Sequence, residues 1–531
     1  MKILRHILVL PVIFFAVLSA DGESVTSWIR KKVENLAAQP TLNDSIKLFC
    51  LPTLQKQYQE HFYTPFWSSD VRIDELMSLI RHCDVDGLQP TDYHLKILDS
   101  LARKAGNENA ATRDILLTDA FILLSSHLLN GKIDPQTITP RWNISPVDDR
   151  IIRFLIELPY VRVGDFYRSI IPQSHLYEGL RYQLKKYREI DKQGGWETIP
   201  SGKILKPGND DSRISLVRKR LLSTGEYDGP EPEQPDFYDD QLSEAVILFQ
   251  RNHGLEALGT IGPQTLAEMN TPASERIRQI EVNMERIRWL PESFPDYYIL
   301  INIPDYMLFV YDHHIPVGEH KVIVGRTYRK TPIFHSTLQY LVFNPTWTIP
   351  PNILKYDILP EAQKDSGYLA ERNIQVFESN GTKLKPEKVN FASADASGYT
   401  YRQLPGDQNA LGVVKFVFPN PYNVFLHDTP SKRLFNRVRR TFSSGCIRVE
   451  RPIELAQYLL MEQPEWTSRK IDKTIESRKT QVVRFNRKPE VFLVYLTAWE
   501  NDDGQLQFRD DIYSRDEPIY KELKSSPDES N

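Results

Sequence analysis

A multidomain chain of the α+β class is predicted, from three observations. At 531 residues the sequence is too long for one ordinary core, so roughly two to four domains are expected. Its N-terminal part carries apolar residues at helical spacing. Its C-terminal part instead alternates apolar and polar residues in short runs bounded by turn residues, the pattern of strands. The composition, 40% hydrophobic and 26% charged, is that of a soluble globular protein, and 25 Tyr with 24 Phe supply bulk for large cores. Net charge is −4, with acids and bases interspersed and no basic stripe, so nucleic acid is not an expected partner. Pairs such as Arg439-Arg440 read as a solvated helix face.

The first twenty residues form their own element. Lys2 and Arg5 precede an uncharged, nearly all-apolar run over residues 7–18, then the small residues Ser19 and Ala20. That order describes a secretory signal peptide at 1–20, and the run is below the roughly 18 to 20 residues that span a bilayer. The alternative is an uncleaved anchor. A lipoprotein would need Cys at position 21, which is Asp21. Residues 115–129 are the next most apolar stretch, but Asp119, Ser125, Ser126 and His127 interrupt it.

Residues 21–205 read mostly helical, with helical spacing over 28–37 and 115–129 and with Pro135, Pro140 and Pro146 punctuating the chain beyond 129. The stretch 199–211, rich in Pro and Gly, reads as a linker. Residues 212–270 then form a compact unit of three short helices. The first covers 213–222. The second carries Leu242, Val246 and Phe249 and is closed by Gly254, and the third begins at Pro263 after a turn over 259–263. Its pattern, Ala245-Val-Ile-Leu-Phe-Gln-Arg-Asn-His-Gly254 followed by Gly259-Thr-Ile-Gly-Pro-Gln-Thr-Leu266, resembles the small helical peptidoglycan-binding module of bacterial wall enzymes. Leu258 stands where that family usually has Asp.

A helix near 275–289 leads into the strand series. Runs at 297–304, 307–311, 317–324, 339–343, 413–418 and 482–499 assign 296–513 to one β-rich domain. A polar, helical-then-irregular stretch at about 357–409 interrupts it and is too long for an ordinary loop, so it reads as an inserted lid. Residues 514–531 read as a charged, disordered tail.

The chemistry concentrates at Tyr422-Asn-Val-Phe-Leu-His427 and Ser443-Ser-Gly-Cys446-Ile-Arg448. Of the three cysteines, Cys50 and Cys83 lie together in the N-terminal part and either pair or remain two buried thiols. Cys446 is left over, which in an exported chain points to a reactive thiol. A thiol attacks as thiolate, and an imidazole such as His427, at a strand end, supplies that by taking the proton. With His427 as the base, the rate is expected to change across pH 6 to 9, and an unchanged rate would count against the assignment. Gly445 lets a substrate carbonyl approach the backbone, and N–H groups around Gly445 and Cys446 are candidate oxyanion donors. Arg448 is a fixed positive charge that can grip a carboxylate and favour thiol ionisation. A buried Cys, a core His and a surface Arg would be the bland alternative.

With 15 residues (428–442) between His427 and Ser443, the pattern His, gap, Ser-x-Gly-Cys-x-Arg resembles the L,D-transpeptidase signature. Ser444 and Arg448 are similar to the large Gram-negative branch with a helical scaffold domain, as are Asp86-Gly-Leu-Gln-Pro-Thr-Asp-Tyr-His94, Asn344-Pro-Thr-Trp-Thr-Ile-Pro-Pro351, Gly412-Val-Val-Lys-Phe416 and Thr497-Ala-Trp499. The resemblance covers nearly the whole mature chain. It implies a mixed β-sandwich catalytic domain with a lid, a periplasmic location, and no cofactor or metal. It also implies nucleophilic attack by Cys446 on the amide after the third residue of a tetrapeptide stem, with His427 as general base and acid. Terminal D-Ala leaves, and a stem amine resolves the acyl-enzyme into a 3→3 cross-link. Ser444, Gly445, Arg448 and Trp347 are the expected oxyanion and substrate residues, with Trp347 lining the groove or packing as a core aromatic. The Asp428 side chain is expected to point away from the His427 ring, leaving a backbone carbonyl to orient it. Partners implied are peptidoglycan stem peptides and other wall-synthesis enzymes, and carbapenems are implied as covalent ligands of the thiol. An L,D-carboxypeptidase, a protein-to-wall ligase and a non-catalytic scaffold remain the alternatives.

Overall fold

The computed structural model describes residues 23–43, 45–135, 149–230, 232–365 and 367–526; the signal-peptide reading, Pro140 and Pro146 lie outside these. The N-terminal unit is helical: α1 (Val25–Asn35), α2 (Leu51–Glu60), α3 (Asp70–Arg81), α4 (Leu95–Leu101), α5 (Asn107–Asn130), α6 (Asp149–Glu157) and α7 (Val163–Ile170). The long α5 is its axis, buried on most faces from Ala111 to Leu128. The polar residues that break its apolar run serve the fold. Asp114 accepts the Tyr58 hydroxyl at 2.5 Å and the Trp67 and Phe66 N–H groups at 2.8 and 3.2 Å. Asp119 accepts the Cys50 and Phe49 N–H groups and pairs with His94 at 2.7 Å. Buried carboxylates are tolerated there because each is multiply hydrogen-bonded. Cys50 and Cys83 are separate thiols, both pushed up by burial and neighbouring aspartates.

The next helix, α8 (His175–Lys192), leaves that core. Its stripe Tyr177, Leu180, Leu184 and Tyr187 packs with Ile280, Met284 and Ile287 and with strand residues Tyr298, Phe492 and Val494. The reading of 21–205 as one helical domain therefore needs adjustment, because the apolar face of α8 is satisfied only by later elements. Three helices follow, α9 (Arg213–Thr224), α10 (Asp240–Asn252) and α11 (Pro263–Met269), around their own core. The stretch 199–211 is not a free linker: Ile199 and Leu205 are buried in this core, and Leu205 bridges Ile261. Gln250 pins the turn after α10, donating to Thr260 O at 2.8 Å and accepting the Gly259 N–H at 2.9 Å. Gly259 has φ +65°, and Leu258 faces outward at 62% exposure, so the turn forms without the family's Asp.

Helix α12 (Ala273–Arg288) joins the units and is buried on almost every side from Ile280 to Arg288. Its charges are paired: Glu285 with Arg288, Arg286 with Asp516, and Glu281 with Arg188 and Lys524. Arg288 also donates to the carbonyl of Asp86. The Asp86 carboxylate meets Arg181, Tyr177 and Tyr167, tying the N-terminal unit to α8 and α12.

The C-terminal domain is one curled mixed sheet. In chain order its strands are β1 (Tyr297–Asn302), β2 (Met307–Asp312), β3 (Ile315–Gly325), β4 (Phe334–Thr337) and β5 (Tyr340–Phe343). Lid strands β6 (Trp347–Thr348), β7 (Ile374–Phe377), β8 (Lys383–Leu384) and β9 (Thr400–Gln403) come next. Then come β10 (Val414–Val417), β11 (Leu426–His427), β12 (Thr441–Ser443), β13 (Ile447–Val449), β14 (Gln481–Arg484) and β15 (Glu490–Val494). The main sheet runs β14-β5-β10-β11-β13-β3-β2-β1-β15-β4, with β12 added beside β3. Its end strand β4 is joined to β5, near the other end, by only Leu338 and Gln339, so the sheet folds over on itself. Ile299, Ile301, Val322, Leu341, Phe416 and Leu426 fill the enclosed core, while Tyr298 and Phe492 face α8 and α12. The β1 strand is thus buried on both faces.

The insertion differs from the expected lid at 357–409. It begins at β6 and holds a four-stranded sheet, β8-β7-β9-β6, over its own core of Ile349, Leu354, Ile358, Val376 and Tyr401. The tail differs too. Residues expected to be disordered from 514 form the helix Asp516–Lys524, whose Ile519 and Leu523 pack on Val282 and Trp289.

Candidate active site

Three neighbouring strands bring the sequence's candidates together. In register, Lys415 of β10 lies beside His427 of β11, which lies beside Arg448 of β13. Residues directly opposite share a sheet face, and Cys446, just before β13, lies near enough to Lys415 and Arg448 to feel both charges. Cys446 is half-buried, with its sulfur 3.8 Å from the Asn423 carbonyl. Burial pushes its thiol above the ordinary value; the Phe425 N–H, Lys415 and Arg448 pull the other way without offsetting it. Arg448 therefore favours ionisation, as expected of its charge, but desolvation wins.

His427 is buried, and burial, with Arg448 and Lys415 nearby, lowers its pKa to about 3. Its Nδ1 lies 2.5 Å from the Asp428 carbonyl. A carbonyl can only accept, so Nδ1 carries the proton and Nε2 is the free base. The Asp428 carboxylate is turned away, accepting the Val413 N–H at 2.9 Å and pairing with Lys432. A side chain on Gly412 would strike that carboxylate, with a Cβ 2.2 Å from Oδ2, and φ there is +59°. Gly412 and Asp428 thus fix the β10–β11 junction on which the ring sits.

The nucleophile turn is closely braced. Gly445 has φ +114°, open only to glycine without strain. Its N–H, expected among the oxyanion donors, is taken by the Ser443 hydroxyl at 3.1 Å. Ser443 in turn donates to the Cys446 carbonyl at 2.5 Å. Ser444 is exposed, and its hydroxyl accepts from Arg329 at 2.9 Å. Arg329 also pairs with Asp357 of the lid at 2.6 Å, linking the lid to the turn. Arg448 is half-buried, and its Nε has no hydrogen-bond partner among the described residues. Trp347 is half-buried against the lid core at the root of the insertion. No group of His, Cys, Asp and Glu among the described residues is placed to hold a metal.

Residues 296–483 match the L,D-transpeptidase catalytic domain, residues 52–184 a scaffold domain, and residues 210–269 a domain described as "Putative peptidoglycan binding domain". Residues 296–483 are thus similar to the catalytic domain of the L,D-transpeptidases. A Haemophilus influenzae protein described as "Putative L,D-transpeptidase" is 32% identical over 311 residues, which are 56% of this chain and 62% of that protein. The chain thus spans less than two thirds of that relative's length. Among solved structures, an L,D-transpeptidase from Xylanimonas cellulosilytica is 14% identical, over 56% of this chain and 99% of that one, with a TM-score of 0.18. One from Stackebrandtia nassauensis is 12% identical, over 56% and 96%, with a TM-score of 0.21. At those scores neither bears on the fold. The motif residues His427, Ser443, Gly445, Cys446 and Arg448 all lie inside the segment matched to that catalytic domain.

Sequence reasoning missed Lys415 and Arg329. Lys415 alternates with buried Val414 and Phe416, so it looks like an ordinary outward strand residue. Only the fold shows its ammonium 3.8 Å from the Phe425 ring centre and close enough to Cys446 to feel its charge.

Proposed function

We propose that this protein forms 3→3 cross-links in peptidoglycan through a Cys446 acyl-enzyme. The observation that supports the reading is the register that sets Arg448, two residues after Cys446, beside His427, whose Nδ1 is held by the Asp428 carbonyl so that Nε2 is left as the base. The Cys446 sulfur attacks the carbonyl carbon after the third stem residue while its proton passes to His427 Nε2. The imidazolium returns that proton to the departing D-Ala amine as the C–N bond breaks, leaving a thioester. The side-chain amine of a diamino acid on a second stem then attacks the thioester carbonyl. The thiol leaves and is reprotonated through His427. A neutral imidazole and a neutral thiol, both favoured by burial, suit proton transfer during attack rather than a standing ion pair.

Arg448 and Lys415 leave positive charge beside the sulfur, suited to the carboxylates of stem peptides. The unit over 212–270 places the substrate polymer near the site. Residues 1–20 direct export to the periplasm, with the mature chain starting near Asp21; N-terminal sequencing of the exported protein tests this. No described helix is long and apolar enough to cross a membrane. For the reaction itself, purified disaccharide-tetrapeptide is incubated with the protein and the products are weighed by mass spectrometry. Dimers that have lost one D-Ala are expected. Trimmed tripeptides without dimers make it a carboxypeptidase, and unchanged substrate leaves a scaffold.

A further inference from the structure

The loop 325–331 lies behind the nucleophile turn and takes no part in the proton transfers proposed above. Thr331 is fully buried in it. Its hydroxyl donates to the Gly445 carbonyl at 2.9 Å and accepts the Gly325 N–H at 2.9 Å. Tyr513 holds the same place from the C-terminal segment: its hydroxyl accepts the Thr331 N–H at 3.2 Å and donates to the Gly325 carbonyl at 2.6 Å. Gly325 admits this closure because any Cβ there would sit 2.1 Å from the Arg329 carbonyl. The loop is bound to the turn a second time by the Arg326 N–H on the Ser443 carbonyl, at 3.0 Å.

The Gly445 carbonyl and the Cys446 N–H belong to one peptide unit. That unit is planar and trans, so the two groups point in opposite directions. Anchoring the carbonyl inward on Thr331 therefore aims the Cys446 N–H outward, to the side where an acyl group on sulfur must lie. The rest of the turn is already committed. The Gly445 N–H is on Ser443, and the Cys446 carbonyl accepts from Ser443. Among the described residues the Cys446 N–H meets no acceptor. An N–H in that position is the donor a developing oxyanion requires, and its value depends on being held in place before the reaction.

We infer that Thr331 is a positioning residue that, braced by Tyr513, sets the Gly445–Cys446 peptide so that the Cys446 N–H serves as oxyanion donor. The inference rests on Cys446 being the acylated nucleophile. It also gives the C-terminal segment a catalytic consequence, since Tyr513 lies more than sixty positions beyond the thiol.

The test compares two reactions of one thiol. Acylation by a carbapenem passes through an oxyanion, whereas alkylation by iodoacetamide is a displacement at carbon that forms none. Both are followed by intact-protein mass spectrometry on the full chain. Thr331→Val keeps the shape and removes the hydroxyl, and Thr331→Ser keeps the hydroxyl. Thr331→Val is expected to acylate on the order of 10- to 100-fold more slowly, short of the ~10²–10³ lost when an oxyanion donor is deleted. Its alkylation is expected to stay within about 2-fold of wild type, and Thr331→Ser to acylate within about 3-fold. Acylation of Thr331→Val at the wild-type rate overturns the inference. So does an equal fall in acylation and alkylation, which would mean the thiol itself had moved. Should Thr331→Val not fold, Tyr513→Phe decides: a smaller loss of acylation relative to alkylation is expected, and an unchanged ratio overturns the inference. Wild-type protein that alkylates but never acylates would instead defeat the acyl-enzyme reading beneath it.

Discussion

Lowering the pH from 7.5 to 5 separates this site from one with an ordinary histidine. Burial among Arg448 and Lys415 moves His427 from 6.5 to about 3, so its base form persists well into the acid range. An imidazole left at 6.5 would be ~3% neutral at pH 5, and a reaction that needs it as base would slow ~30-fold. With the lowered value the neutral fraction at pH 5 stays close to one, and the rate should change by less than about 2-fold. At the alkaline end the Cys446 thiol is raised above its ordinary 9.0, so the reactive pair stays neutral through pH 8. The expected profile is therefore a plateau from pH 5 to 8, in place of the change across pH 6 to 9 that a solvent-exposed histidine would give. The assay is the rate of carbapenem labelling of wild-type protein at constant ionic strength. A ~30-fold fall by pH 5 would refute the buried-base account. A tenfold climb per pH unit toward pH 9 would refute it differently, by showing that free thiolate attacks without the imidazole.

Three further outcomes are expected from the same structure. Arg448→Ala should slow acylation while the thiol stays present and alkylatable, because it removes a guanidinium with an unpartnered Nε beside the sulfur; acylation at the wild-type rate would count against a carboxylate contact there. Asp86→Ala should lower stability to urea by roughly 3 kcal/mol, since it strands Arg181 and the Tyr167 and Tyr177 hydroxyls at a buried junction; a change within about 0.5 kcal/mol would mean the junction relaxes freely. The unit over 199–271, which has its own core, should sediment with purified sacculi, and failure to do so would leave it a spacer.

Much of the site was legible because its signal is local. Cys446, His427 and Arg448 lie within 22 positions, 427 to 448, and the strand-end His and glycine turn mark themselves by residue type. The orientation of the His427 ring followed from strand alternation, which sends the Asp428 side chain the other way. The features that escaped depend on long-range packing. Thr331 and Tyr513 are ordinary residues until folding sets Thr331 against Gly445 and Tyr513 against Thr331. Helix α12 reads from the sequence only as a helix near 275–289, yet its Glu285 and Arg288 are fully buried, paired with each other while Arg288 also donates to the Asp86 carbonyl. The tail is charged enough to look disordered, but Ile519 and Leu523, four apart, form the apolar edge that docks it. The lid's strands were hidden for the opposite reason: they are two to four residues long, too short for alternation to show.

Where a carbapenem attaches tests the central claim most directly. Folded wild-type protein should gain the mass of one intact drug molecule, and peptide mapping should place it on Cys446, with no adduct on Cys446→Ala. An adduct on Cys50 or Cys83, or no mass gain on folded protein, would contradict the assignment of Cys446 as the nucleophile.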